Sequence, residues 1–391
     1  MQKLLFLFFC FLSFHGHAVM SLKEKVSLLY EVSPNENAEN AFAEELTTYC
    51  ESLKKFDHLS PKKRIKKIFS LTKAKYLRQY SLIAFFPKIH QSAVYNCVTG
   101  SALFSIIFDE LSIPYTVVEI PRHVYLVAFP NKEAIGVEST DLKDGIYYWT
   151  EYNKIQAVSF LVGIGKVSET EVTYKGVDAI IEEFFYSQDE LSFEDLVGIY
   201  FFNRALFWED KKEHKYALEF AQRSYELYKN DRSEYLMGAL LNDLIREAEY
   251  DNIDIMNYIT QSYTLSEKKA QRDRMSAIFK YVYQEALAVR RDFEFTDSSI
   301  ALVKSNMPNK ADRDLFLSHA SLIQAGWKAN RGDLDGALAD AKTGYKLTPS
   351  NYEYHDLLAI LLVEEAIENE PDIDEFRDSL KNYETAYPFI W

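Results

Sequence analysis

The spacing of apolar and polar positions divides the chain into three textures. From about residue 22 to 90 it is helical. Ile65, Ile68 and Phe69 fall at i, i+3 and i+4, and Ser60-Pro61 supplies a cap and a first position for the helix that carries them. The basic residues between positions 62 and 78 interleave with these apolar ones, as on the wet face of an amphipathic helix. The texture changes near residue 95. Positions 102–108 are apolar almost all round, which predicts a helix over 97–111 buried on most sides, capped by Asn96 and stopped by Ile113-Pro114. Three short runs rich in Val, Ile and Tyr follow, at 115–120, 123–129 and 134–138, broken at Pro121 and Pro130-Asn131; these read as strands.

From about residue 190 the pattern is helical again and stays so. Two segments fit a tetratricopeptide-like helix pair, with small residues where paired helices touch. Phe201, Ala205, Trp208, Ala217 and Ala221 keep the spacing in the first; Ala325, Gly332-Asp333, Ala337, Ala341, Gly344 and Pro349 keep it in the second. A solenoid needs at least three stacked units, so residues 252–315 are expected to supply further hairpins. An irregular helical bundle is the alternative.

The first twenty residues read as a signal peptide. Lys3 gives the positive start, positions 4–14 are apolar, and Gly16-His17-Ala18 offers small residues for cleavage. The run is shorter than the roughly twenty residues that span a bilayer, and no later segment is long and apolar enough to do so. Phe8 and Phe9 before Cys10 are too large for lipoprotein processing. The expected location is periplasmic or secreted if the source is bacterial. Cleavage leaves Cys50 and Cys97, which an oxidising compartment could join as a disulfide.

A chain of 391 residues exceeds what one core usually supports, so two domains follow the signal: 21–185 and 186–391. Its formal charge of −15 opposes nucleic-acid binding over the whole surface. No paired Cys or His occurs at metal spacing, and Gly163-Ile164-Gly165-Lys166 lacks the glycines and the Ser or Thr of a phosphate loop. Neither a metal nor another cofactor is expected.

The candidate chemistry lies in the middle stretch. Cys97 stands at a helix start, where unpaired amides and the positive end of the dipole favour a thiolate and can receive an oxyanion; Thr99, Gly100 and Ser101 leave room for substrate. His123 is placed to act as base. If the hairpin turns at 130–133, Phe129 faces Ala134 and Tyr125 faces Glu138. Glu138 then shares a face with His123 one diagonal step away, about 7–8 Å at the backbone, within reach of a glutamate side chain. An odd-length turn would send the two to opposite faces. Asp141 is the reserve carboxylate. Beyond the amide of Cys97, the oxyanion donor is open among Gln91, Tyr95 and Asn96.

Tyr95-Asn96-Cys97-Val98-Thr99-Gly100-Ser101-Ala102-Leu103, Leu111-Ser112-Ile113-Pro114-Tyr115, His123-Val124-Tyr125-Leu126 and Gly136-Val137-Glu138-Ser139-Thr140 together resemble the core of the transglutaminase-like superfamily. The likeness is greatest to a bacterial branch in which tetratricopeptide repeats follow that core. It implies an α+β, papain-like fold followed by an all-α repeat domain. It also implies Cys97 as nucleophile, His123 as general base and acid, and Glu138 as the residue orienting the histidine. Most members carry aspartate at the third position, so Glu138 departs from the commonest pattern. The expected activity is acyl transfer or hydrolysis at an amide, with the repeats holding a protein or peptide. The competing expectation is an inert papain-like scaffold in which the repeats alone bind a partner.

Overall fold

A computed structural model describes residues 20–120, 123–141, 145–148, 150–181, 183–184, 191–352, 355–369 and 372–388. The signal read over residues 1–20 lies outside these residues except for Met20. The described chain is mostly helical with a small antiparallel sheet, an α+β class. It forms two compact units, one running to Phe207 with Arg223–Tyr228 added, the other made of Trp208–Gln222 and the residues from Lys229 onward.

The first unit opens with α1 (Leu22–Tyr30), α2 (Glu36–Leu53) and α3 (Pro61–Tyr76). Ser21 caps α1 reciprocally with Glu24, Asn35 caps α2, and Pro61 occupies the first turn of α3, where its missing N–H costs nothing. Ile65, Ile68 and Phe69 point inward, with Phe69 stacked on Phe104 at 5.3 Å between ring centroids. Two very short strands, β1 (Gln79–Tyr80) and β2 (Val94–Tyr95), flank α4 (Pro87–Ser92) and pair in parallel, Tyr80 beside Tyr95. Neither strand is evident in the sequence pattern, because two residues carry no alternation.

The central helix α5 (Cys97–Glu110) is buried from Val98 to Phe108, as its all-round apolar sequence requires. It packs on β4 of a sheet ordered β3 (Tyr115–Ile120), β4 (His123–Ala128), β5 (Ile135–Val137) and β6 (Ile146–Tyr148). Every neighbour in this sheet is antiparallel, with Leu126 opposite Val137 and Ala128 opposite Ile135. Strands β4 and β5 end sooner than their sequence runs: Phe129 and Ala134 take left-handed φ angles of 51° and 44°, and Glu138 turns away after β5. Helices α6 (Glu151–Gly163), α7 (Glu169–Lys175) and α8 (Val177–Ile181) follow, and Val158, Leu161, Ile180 and Ile181 form a small core with Ile120 and Tyr125 against it. Gly165, at φ 72°, lies in the turn that ends α6, so the glycine-lysine run there is a helix stop.

Helices α9 (Phe193–Asp210), α10 (His214–Leu227), α11 (Asp231–Glu247), α12 (Asp254–Leu265), α13 (Lys269–Gln284), α14 (Phe293–Asn306), α15 (Lys310–Ala329), α16 (Leu334–Leu347), α17 (His355–Asn369) and α18 (Ile373–Ala386) complete the chain. In the second unit α12 packs on α11, α13 and α14, α13 on α15, and α15 on α16. These helices therefore meet the next helix and, for α12 with α14 and α13 with α15, the next but one along the chain. Residues 252–315 supply α12, α13, α14 and the start of α15. Ala325, Ala337 and Ala341 are buried where α15 and α16 meet; Gly332 turns at φ 80° and Asp333 accepts from the Gly336 amide at 3.0 Å to start α16.

Candidate active site

Cys97 is the first residue of α5 and half-buried. Its place is fixed by Asn96. The Asn96 side chain accepts from the Thr99 amide at 2.9 Å, and the Asn96 amide donates to Thr99 Oγ1 at 2.9 Å, a reciprocal cap. Asn96 Nδ2 donates to the carbonyls of Leu82 and Ala84 at 3.1 and 3.0 Å, which uses both amide protons. The amide of Gly100 donates to Asn96 O at 2.9 Å. Among the described residues no acceptor is recorded for the amides of Cys97 and Val98, in the first turn of a fourteen-residue helix.

His123 begins β4 opposite Ile120, and the next residue's carbonyl accepts from Ser101 Oγ at 3.4 Å, tying β4 to α5. Glu138 follows β5 directly, and its amide donates to Gly145 O at 2.8 Å. The loop after it comes so close to α5 that a Cβ on Gly100 would meet Ser139 Oγ at 2.5 Å and Ser139 Cβ at 2.7 Å. Only glycine fits there.

The side chains converge in a line. His123 Nε2 is hydrogen bonded to Glu138 Oε2, and the Cys97 thiol is near enough to the imidazole to influence its charge. The second carboxylate oxygen, Glu138 Oε1, accepts from the amide of Thr140 at 2.8 Å and from Thr140 Oγ1 at 2.6 Å. Burial pulls the imidazole toward its neutral form, but the hydrogen bonds to Cys97 and Glu138 and the charge of Glu138 outweigh it and push His123 from 6.5 up to about 10. Tyr125 stacks on the ring with centroids 6.3 Å apart.

The remaining sequence candidates lie nearby in different roles. Asp141 accepts from Tyr147 Oη at 2.5 Å and from the Gly145 amide at 3.3 Å, so it closes the loop after Glu138. Asn96 is spent on capping and on the 82–84 loop. Tyr95 is buried, with its carbonyl accepting from the Ser81 amide at 2.9 Å. Gln91 is exposed on α4. Cys50 is buried in α2 and unbridged; burial first, then Glu110 and Glu51, pushes its thiol up to about 12.

Three residues at the site have roles that the sequence pattern does not assign. Thr140 secures the carboxylate and Ser139 sets the close approach to α5. Tyr80 packs edge-on against Tyr95 at 6.0 Å, and burial, with Cys97 and Glu138 nearby, raises its phenol. Thr140 could have been found by asking what satisfies the second oxygen of a half-buried carboxylate. Among the described residues no group of His, Cys, Asp and Glu could hold a metal ion, and no helix is long and apolar enough to cross a membrane. No family model matches this chain, and neither a curated protein nor a solved structure matches it.

Proposed function

We propose that this protein is a transglutaminase-like cysteine enzyme, with a papain-like core, that transfers or hydrolyses acyl groups at an amide. The observation that carries the reading is the hydrogen-bonded series His123–Glu138–Thr140 with the Cys97 thiol at the helix start beside the imidazole. The proton shared between Cys97 and His123 rests on the imidazole, whose affinity for it is raised, and the sulfur attacks a carbonyl carbon. The oxygen that becomes negative is received by the free amides of Cys97 and Val98. His123 returns the proton to the departing amine, and water or a second amine then takes the acyl group from sulfur. Glu138, fixed by Thr140, holds the ring for both transfers. The helical hairpins of the second unit would hold the protein or peptide that is acted on, in the manner of a tetratricopeptide-like array, and the leader would direct the chain to a periplasmic or extracellular site.

The deciding experiment measures the rate of Cys97 alkylation by iodoacetamide across pH, with formation of a hydroxamate from a glutamine-containing peptide and hydroxylamine. His123→Ala should slow alkylation at neutral pH by about 10²-fold, and Cys97→Ser should abolish both reactions. Hydroxamate formation that survives Cys97→Ser would overturn the reading. Alkylation that ignores His123, without acyl transfer, would favour a binding scaffold instead.

A further inference from the structure

A cavity of about 300 Å³ opens between the sheet face that carries the His123–Glu138 pair and helix α6. Strand pairing places Ile120, His123 and Tyr125 on that face, with Gly136 beside Tyr147, and Glu138 joins them through its bond to His123. Asn153, Gln156 and Ala157 of α6 close the other side. Two of the lining positions are small. Gly136 has no side chain, and a Cβ there would meet Tyr147 Cβ at 3.2 Å; Ala157 supplies one methyl.

The lining is mainly apolar and aromatic. His123 and Glu138 are paired with each other, and no lysine or arginine is among the described residues of the walls. Asn153 Nδ2 gives one of its two protons to the Tyr148 carbonyl at 2.5 Å. A charged ligand group would meet no unpaired charge among the described lining residues, whereas a flat apolar one would bury against the tyrosines. The volume stands at the low end of small-molecule pockets, enough for one aromatic side group.

The cavity wall includes His123 and Glu138 but not Cys97, Val98 or Tyr80, so it lies beyond the imidazole from the thiol side. In acyl transfer the acyl carbon sits on sulfur, and the nitrogen that leaves or enters must reach the imidazole. We infer that this cavity is the amine-side subsite, and that it selects an uncharged aromatic group carried by the amine that leaves or accepts the acyl group. The inference rests on the acyl-transfer reading above. In the accepting direction, the amine nitrogen forms a bond to the acyl carbon, the carbon–sulfur bond breaks, and the amine proton passes through His123 to the departing sulfur of Cys97.

The test acetylates the intact protein on Cys97 with S-methyl thioacetate, a donor too small to need the cavity, and follows the acetyl adduct by intact mass. Phenethylamine or methylamine is then added, and loss of the adduct and gain of N-acetyl amine are timed. The native protein should deacylate roughly tenfold or more faster with phenethylamine than with methylamine at equal free-base concentration. Ala157→Phe, which fills the cavity, should bring the two rates together while leaving acetylation and iodoacetamide alkylation unchanged; Ala157→Leu should fall between. Equal rates in the native protein, or an aromatic preference that survives Ala157→Phe with acetylation intact, would overturn the subsite alone. Failure of Cys97 to acetylate at all would overturn the acyl-transfer reading and the subsite with it.

Discussion

His123, the first residue of β4, and Glu138, the residue that follows β5, are joined by a hydrogen bond from ring to carboxylate. Extending the pairing of Leu126 with Val137 by one residue sets Glu138 beside Tyr125, two positions from His123. Glu138→Gln keeps the shape but removes the charge and can present the wrong group to Nε2. Neutral-pH alkylation of Cys97 should fall about 10²-fold or more. Asp141→Asn should leave that rate near the native value, because Asp141 bonds Tyr147 and the Gly145 amide rather than the imidazole. Equal damage from the two substitutions would contradict the assignment of Glu138.

The histidine should titrate far above its usual range. Its folded value, about 10, exceeds the ordinary 6.5, so the protonated form is bound more tightly by the folded state. The stability this contributes is complete below about pH 6.5 and is lost as pH rises through about 10. Native protein should therefore lose its advantage over His123→Gln across that window, read by chemical denaturation at several pH values. Proton NMR of the ring should show the same high midpoint, lowered by either Cys97→Ser or Glu138→Gln. A midpoint near 6.5 in the native protein would show that the pair does not couple.

Much of this arrangement is legible in the sequence, for identifiable reasons. The apolar run of α5 and the Asn96 cap announce a buried helix with Cys97 at its start. The even-length turn between Phe129 and Ala134 fixes the register that brings Glu138 to His123, although the left-handed angles at those two residues have no Gly or Asn to signal them. Tyr80 is invisible because it depends on a two-residue pairing with Tyr95 rather than on a periodic pattern. The same limit hides β6, three residues long. Asn96 reads correctly as a cap, yet its hold on the Leu82 and Ala84 carbonyls comes from a loop twelve to fourteen residues away. That second role removes it from the pool of oxyanion donors.

Gly100 links the thiol helix to the carboxylate loop. In Gly100→Ala the new methyl would lie 2.5 Å from Ser139 Oγ, so either the helix or the loop carrying Glu138 and Thr140 must move. The expected cost is about 1–3 kcal/mol, together with slower alkylation of Cys97 as the carboxylate shifts from the imidazole. Combining it with Ser139→Gly, which removes both clashing atoms, should restore most of the stability and the rate. Failure of the double variant to recover would place the strain elsewhere.

Cys50 and Cys97 should behave as two unlike thiols. Cys50 is 1% exposed in α2, and burial holds its thiol protonated up to about pH 12, so it is a poor nucleophile in the folded state. Cys97 is half-buried beside a base. Iodoacetamide at neutral pH should label Cys97 within minutes while Cys50 stays unlabelled until denaturant is added, as peptide mapping would resolve. Because neither residue is bridged, the pattern should be the same before and after treatment with a reductant. Labelling of Cys97 that appears only after reduction would mean that the thiol is held in a disulfide under the conditions used, and would remove the nucleophile on which the proposed chemistry depends.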